Sequence, residues 1–269
     1  TYIGVNAFYG CGLTSLTVPS SITELGRTSF VGNPLRTIEF APSTSVLSIG
    51  NQAFSINTEK AHGVVETFKC FRPYSYEGYN GLFVYEDKLT TVVIGGYTTS
   101  VPRTTFYGCS NLKNLTFSGS YLETIGDNAF YDCGLTSLTI PSSVTKLGSG
   151  SFRKNPLKTI VFAASSTELK IGDAAFSKRD VGGSGSVETF KCHRPFTYDV
   201  YNYGLLQYED KLTTVSLLNM SSIGKVTFYG CTNLTNVTLG NKIVPGTAII
   251  HRTGQLGRHL PQSNHSYDI

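Results

Sequence analysis

The sequence predicts one mainly β solenoid over residues 1–243, with about ten coils of 22–24 residues, short parallel strands and a stacked phenylalanine spine. Three observations predict it. Cys133, Cys192 and Cys231 each stand 122 residues after Cys11, Cys70 and Cys109, so the chain contains a copy of itself. Each half is periodic in turn, which denies a globular boundary between the halves. A phenylalanine recurs at one place in the period, at Phe8, Phe30, Phe54, Phe106, Phe130, Phe152, Phe176 and Phe228.

The period reads in full over residues 125–147. An Ile125-Gly126 step opens it, Ala129-Phe130 follows, and stacking of coils would align these rings in a column. Three residues after the phenylalanine stands Cys11, Asn33, Asn57, Cys109, Cys133, Asn155 or Cys231. Inside a tight turn an Asn amide satisfies buried backbone groups, and a thiol fills the same space as a weak donor. The cysteines are therefore expected as buried structural thiols, with a disulfide as the alternative, since Cys109 and Cys133 fall on adjacent coils. No C-x-x-C pair supports a metal site.

An apolar segment of the form L-x-x-L-x-L comes next, at 13–18, 35–40, 65–70, 89–94, 112–117, 135–140, 157–162, 187–192, 212–217 and 234–239. Its last apolar pair is spaced by two, which suits a short strand. Two coils carry insertions at 55–63 and 177–186, and the turns at 72–85 and 194–208 lack the Ala-Phe step. Residues 244–269 leave the repeat and read as a tail or an irregular cap.

With Ala7-Phe8, Ala53-Phe54, Ala129-Phe130, Ala175-Phe176 and the Pro19-Ser20-Ser21-Ile22 and Pro141-Ser142-Ser143-Val144 turns, the pattern resembles the BspA-like class of leucine-rich repeats. The resemblance implies a leucine-rich repeat solenoid in an extracellular or cell-surface protein that adheres to host or matrix proteins. It supplies no catalytic residues.

In each strand the third and fifth residues of the segment face solvent. The outward file includes Thr37, Thr67, Thr91, Asn114, Thr116, Ser137, Thr139, Thr159, Thr189 and Asn236, nearly all uncharged. Thr is a strand former in any case, so the file reads either as a solvated sheet face or as a recognition surface for a protein or glycan. A second candidate is aromatic: Tyr74, Tyr76 and Tyr79 with Phe83 and Tyr85, and in the copy Tyr198, Tyr201 and Tyr203 with Phe196 and Tyr208. Tyr-rich turns serve either as binding sites or as filler where the repeat fails.

Net charge is +4 with 15 % charged residues, and Ser plus Thr make up roughly a fifth of the chain. Strong nucleic-acid electrostatics are not expected, and no apolar run approaches the ~20 residues of a membrane span. None of the five histidines recurs in the other half, so no triad or metal site is duplicated. Glu86-Asp87 and Glu209-Asp210 are neighbours that would point apart on an extended strand and read as polar turns. No enzyme, cofactor or metal is expected. Asn-x-Ser/Thr acceptors stand at Asn114, Asn219, Asn233, Asn236 and Asn264. The leading expectation is therefore an adhesive surface protein; the alternative is a structural subunit of a fibre or coat, self-associating through solenoid ends or tail.

Overall fold

Each apolar segment becomes a strand only from its third residue, where alternation of outward polar and inward apolar side chains begins. The computed structural model describes residues 1–54, 64–78, 81–177, 185–198, 205–220, 223 and 227–240. The expected tail at 244–269, the two insertions for most of their length, and Asn57, Tyr79, Tyr201, Tyr203 and Asn264 lie outside the described residues.

In chain order the strands are β1 (Tyr2–Ile3), β2 (Ser15–Val18), β3 (Glu24–Leu25), β4 (Thr37–Phe40), β5 (Leu47–Ile49), β6 (Thr67–Cys70) and β7 (Tyr74–Tyr76). There follow β8 (Thr91–Gly95), β9 (Ser100–Val101), β10 (Asn114–Ser118), β11 (Thr124–Ile125), β12 (Ser137–Ile140) and β13 (Lys146–Leu147). The last are β14 (Thr159–Phe162), β15 (Leu169–Ile171), β16 (Thr189–Cys192), β17 (Phe196–Tyr198), β18 (Thr214–Leu217) and β19 (Asn236–Leu239). All described pairings are parallel, as stacking of successive coils demands. The longer strands form one ladder of two sheets, β2-β4-β6-β8-β10 and β12-β14-β16-β18-β19, and the short strands form a second, β1-β3-β5-β7 and β9-β11-β13-β15-β17. Ten long strands mark the ten coils.

The long ladder breaks between β10 and β12, where the two halves meet. Two residues separate Cys109 from Leu112, but only one separates Cys133 from Leu135. Gly134 lies at this junction, where a Cβ would lie 2.4 Å from the Ser110 carbonyl oxygen. The core does not break. One apolar cluster runs from Val18 to Leu234.

The phenylalanine column is its axis. Ring centroids follow at 5.2 Å (Phe8–Phe30), 5.9 Å (Phe30–Phe54), 5.0 Å (Phe106–Phe130), 5.2 Å (Phe130–Phe152) and 5.9 Å (Phe152–Phe176), all stacked. The coil expected to interrupt the column does not: Phe83 stacks on Phe54 at 6.1 Å and on Phe106 at 5.8 Å. Its counterpart in the second half is the buried Leu206, whose N–H donates to Thr227 O as that of Phe83 donates to Thr105 O. Residues two before and two after the ring adopt left-handed backbone, among them Asn128 (φ 52°) and Asp132 (φ 54°) around Phe130, and Thr104 (φ 53°) and Gly108 (φ 74°) around Phe106. Non-glycine residues resist this conformation. Inter-coil bonds such as Phe106 N–H to Ala129 O and Gly108 N–H to Tyr131 O, both 2.8 Å, hold it.

Two side-chain devices tie coils together. Asn33 Nδ2 donates to Phe8 O (2.6 Å) and Phe30 O (2.9 Å), and its Oδ1 accepts the Leu13 N–H (2.9 Å). Asn155 does the same with Phe130 O, Phe152 O and the Leu135 N–H. The second device is an arginine buried at 0 % exposure in each half. Arg72 donates from Nε and Nη2 to Ser45 O (3.1 and 2.9 Å) and from Nη1 to Ile22 O (2.8 Å) and Pro19 O (3.2 Å), crossing two coil boundaries. Arg194 reaches Thr167 O (3.1 and 2.8 Å) and Pro141 O (3.2 Å).

Candidate functional site

The long ladder sets its outward residues in two rows. In the first, register pairs Ser15, Thr37, Thr67, Thr91 and Asn114 across five strands, and Ser137, Thr159, Thr189, Thr214 and Asn236 across the other five. These two sequences are identical, Ser-Thr-Thr-Thr-Asn. Strand spacing puts successive side chains ~4.8 Å apart, so each half offers a flat strip of four hydroxyls closed by an amide. In the second row Thr17, Glu39, Lys69, Val93 and Thr116 face Thr139, Val161, Lys191, Ser216 and Thr238 of the copy, with three of five kept. Beside the strip an ion pair recurs, Arg36–Glu66 at 3.1 Å and Lys158–Glu188 at 3.6 Å. The Lys69–Glu39 pair, 3.7 Å, has no counterpart because Val161 replaces the carboxylate. All ten residues expected on this face are exposed or half-buried.

The short ladder behaves differently. Its outward positions are Tyr2, Glu24, Ser48, Ser75 and Ser100 in the first half; the first four become Thr124, Lys146, Lys170 and Thr197 in the second, and only Ser100 recurs in the sequence, as Ser222.

A family model for the BspA-type leucine-rich repeat region matches residues 1–74, 77–182 and 202–245, in six copies. The chain belongs to the BspA-type leucine-rich repeat family. No curated protein matches it. Among solved structures, this BspA-type chain is similar to a leucine-rich cell surface protein of Faecalibacterium prausnitzii A2-165, at 18 % identity over 89 % of this chain and 83 % of that one, TM-score 0.43. It is similar too to a leucine-rich repeat protein of Bacteroides ovatus, at 20 % identity over 89 % and 78 %, TM-score 0.46. A third is the pneumococcal vaccine antigen PcpA, at 22 % identity over 86 % and 63 %, TM-score 0.33.

In this BspA-type solenoid the aromatic turns are largely structural. Tyr74, read as either a binding residue or filler, is filler: it is buried and packs edge-on against Phe40 and Phe68, because β7 pairs with β5 and turns its first residue inward. Phe196 repeats this packing in the copy. Phe83 belongs to the spine. Tyr76 and Tyr198 are half-buried, with hydroxyls bonded to Arg103 O and to Thr227 Oγ1 respectively. An aromatic file does reach the surface elsewhere: Tyr107 and Tyr131 stack at 4.6 Å, Tyr85 meets Tyr107 edge-on, and Lys154 lies 5.3 Å from the Tyr131 ring. Each faces a neighbouring ring, so the file presents edges and hydroxyls. Its signal was the Phe-Tyr step at 106–107 and 130–131.

All six cysteines are free, and five are buried. Cys109 Sγ donates to Phe83 O (2.9 Å), Cys133 Sγ to Phe106 O (3.2 Å) and Cys231 Sγ to Leu206 O (3.0 Å), the donor half of what Asn does in other coils. Burial pushes the Cys70 and Cys192 thiols up to about 11 and Cys231 to about 12. Cys11 departs from the expectation: it is exposed, because it lies in the first coil with no described coil over it.

The carboxylates at the polar turns also have structural work. Glu209 Oε2 accepts the Val187 N–H at 2.9 Å, and Gly185 permits this, since a Cβ there would lie 2.2 Å from that oxygen. Glu86 Oε2 accepts the Val65 N–H at 3.4 Å, and burial pushes its carboxyl up to about 7. Of the sequons, Asn114, Asn219, Asn233 and Asn236 are exposed, and Asn233 Nδ2 donates to Asp210 O at 2.6 Å. Among the described residues no cluster of three His, Cys, Asp or Glu side chains has metal-binding geometry. No helix of the described residues is long and apolar enough to cross a membrane.

Proposed function

We propose that the chain is a non-catalytic surface binding protein, extracellular or displayed on a cell, whose ligand docks on the long-strand face and thereby mediates adhesion. One observation carries this reading: after duplication the Ser-Thr-Thr-Thr-Asn strip stayed identical at five of five positions, while the short ladder changed at four of five. Strand propensity alone does not account for it, because Asn is a poor strand former, and Val would serve a solvated strand as well as Thr. In this reading the ligand is a protein or glycan of matrix or host surfaces.

Adhesion of chain-coated beads to surfaces bearing extracellular-matrix protein or glycan tests it. Thr67→Lys combined with Thr189→Lys is expected to abolish adhesion, with Glu24→Lys as the unaffected control. Equal adhesion in all three overturns the proposal. The alternative reading is a structural role by end-to-end association. Light scattering that finds a monomer at millimolar concentration removes it.

A further inference from the structure

The short ladder drifted between the halves, and in the second half it drifted into a groove. A cavity of about 320 Å³ lies over β13, β15 and β17, lined among others by Asp127, Lys146, Ser149, Lys170, Thr197 and Tyr198. Lys146 and Lys170 are register partners on adjacent parallel strands, both pointing outward. Like charges directly opposite one another on neighbouring strands destabilise a sheet. Among the described residues neither lysine has a carboxylate within ion-pair distance to offset this.

Nothing in the coil requires lysine there. The first half builds the same strand pair with Glu24 opposite Ser48, and its β3 and β5 hold the same register. Lys is also a weak strand former. The paired cations are therefore a local cost that the fold does not demand. Beside them sit groups suited to hydroxyls: the Thr197 and Ser149 side chains, and the Asp127 carboxylate, whose Oδ1 accepts the Ser149 N–H at 2.9 Å. Tyr198, its hydroxyl 2.9 Å from Thr227 Oγ1, contributes an anchored aromatic ring to the lining.

We propose that this groove binds an acidic saccharide, the two lysines holding its carboxylate or sulfate and the Asp127–Thr197 side reading its hydroxyls. Two ammonium groups a strand spacing apart converge on one oxyanion. Asp127 repels a ligand charged along its whole length, which disfavours nucleic acid and polyphosphate and favours one anion per one or two sugar rings. The cavity lies at the lower end of small-ligand pocket sizes, room for such a unit and little more. The groove is on a different ladder from the long-strand face, so it stands independently of the adhesive reading.

The duplication supplies the test. Lys146→Glu with Lys170→Ser writes the first half onto the second, with residues that this backbone already carries in β3 and β5, so folding is preserved. The probes are trigalacturonate, a kappa-carrageenan oligosaccharide with one sulfate per disaccharide, neutral galactotriose and inorganic sulfate, titrated by calorimetry or by NMR shifts against the full chain. One or both acidic saccharides are expected to bind once per chain, the carboxylate and sulfate arms saying which group the lysines prefer. The double variant is expected to lose at least about tenfold in affinity. The proposal is overturned if the variant binds equally well, if galactotriose binds as tightly, if inorganic sulfate matches the saccharides, or if neither acidic saccharide binds at about 10 mM.

Discussion

Arg72→Met would test how the coils are held together. Met keeps most of the stem volume, so the loss is that of the guanidinium and its bonds. Pro19 O still accepts the Ile22 N–H (3.1 Å), which leaves Ser45 O and Ile22 O as the orphaned carbonyls. Each buried unsatisfied group costs about 1–3 kcal/mol, and the charge-assisted bonds are the stronger kind, so the loss should be about 3–5 kcal/mol. At about 2–4 °C per kcal/mol for a chain of this size, that lowers the melting temperature by about 10 °C. Arg194→Met should cost less, because Pro141 O keeps the Val144 N–H (3.2 Å) and only Thr167 O is orphaned. Thermal denaturation followed by circular dichroism, with the exposed Arg36→Met as reference, reads all three. A loss under about 1 kcal/mol for Arg72, or no difference from Arg36→Met, would refute a guanidinium buried across two coil boundaries.

Thiol labelling at pH 8 should modify one cysteine of six, Cys11, in the native chain, and all six in denaturant; a shortfall in denaturant would reveal a disulfide. The Glu86 carboxyl is raised in the folded chain, so its contribution to stability is full below about pH 4.5 and is lost as pH rises through about 7. Glu86→Gln should flatten that slope, and an unchanged pH profile of melting temperature would show that the buried carboxyl is not its source. Asn155→Ala removes the bonds to Leu135 N–H, Phe130 O and Phe152 O, with a longer one to Arg153 O, and should cost about 2–4 kcal/mol, whereas Asn155→Cys, which restores the donor alone, should cost visibly less; equal losses in a urea titration would contradict the shared role of Asn and Cys at this turn.

The solenoid was legible because its determinants are local and repeated: Phe130 and Phe152 mark one column whichever coil is read, and Leu138 and Ile140 alternate as any strand does. Phe83 was not legible, since the turn around it lacks the Ala-Phe step, and only the stacking distances assign it to the spine. Arg72 and Arg194 were missed for a different reason. Arginine is seldom fully buried, and the carbonyls that make it possible here come from residues 27 and 50 positions earlier. The place of Tyr74 was not legible because nothing in the residue type says which way a strand turns its first side chain; the pairing of β7 with β5 decides it.

Faces that bind are harder to read than cores, because a solvated Thr and a ligand-reading Thr are the same residue in the same strand. Duplication partly removes that ambiguity. Both halves share one backbone, so a residue the coil requires should recur, as do four of the spine phenylalanines of the first half, Asn33 with Asn155, and the buried arginines. A residue the coil does not require is free to drift, as Glu24 did to Lys146 and Ser48 to Lys170. The Ser-Thr-Thr-Thr-Asn strip belongs to neither class: its side chains leave the core alone, yet five of five recur. That combination is what a shared ligand would impose on both halves. If Thr67→Val with Thr189→Val, which keeps β-branching and removes only the hydroxyls, leaves both stability and adhesion unchanged, then the strip is kept by neither fold nor ligand, and recent duplication alone explains it.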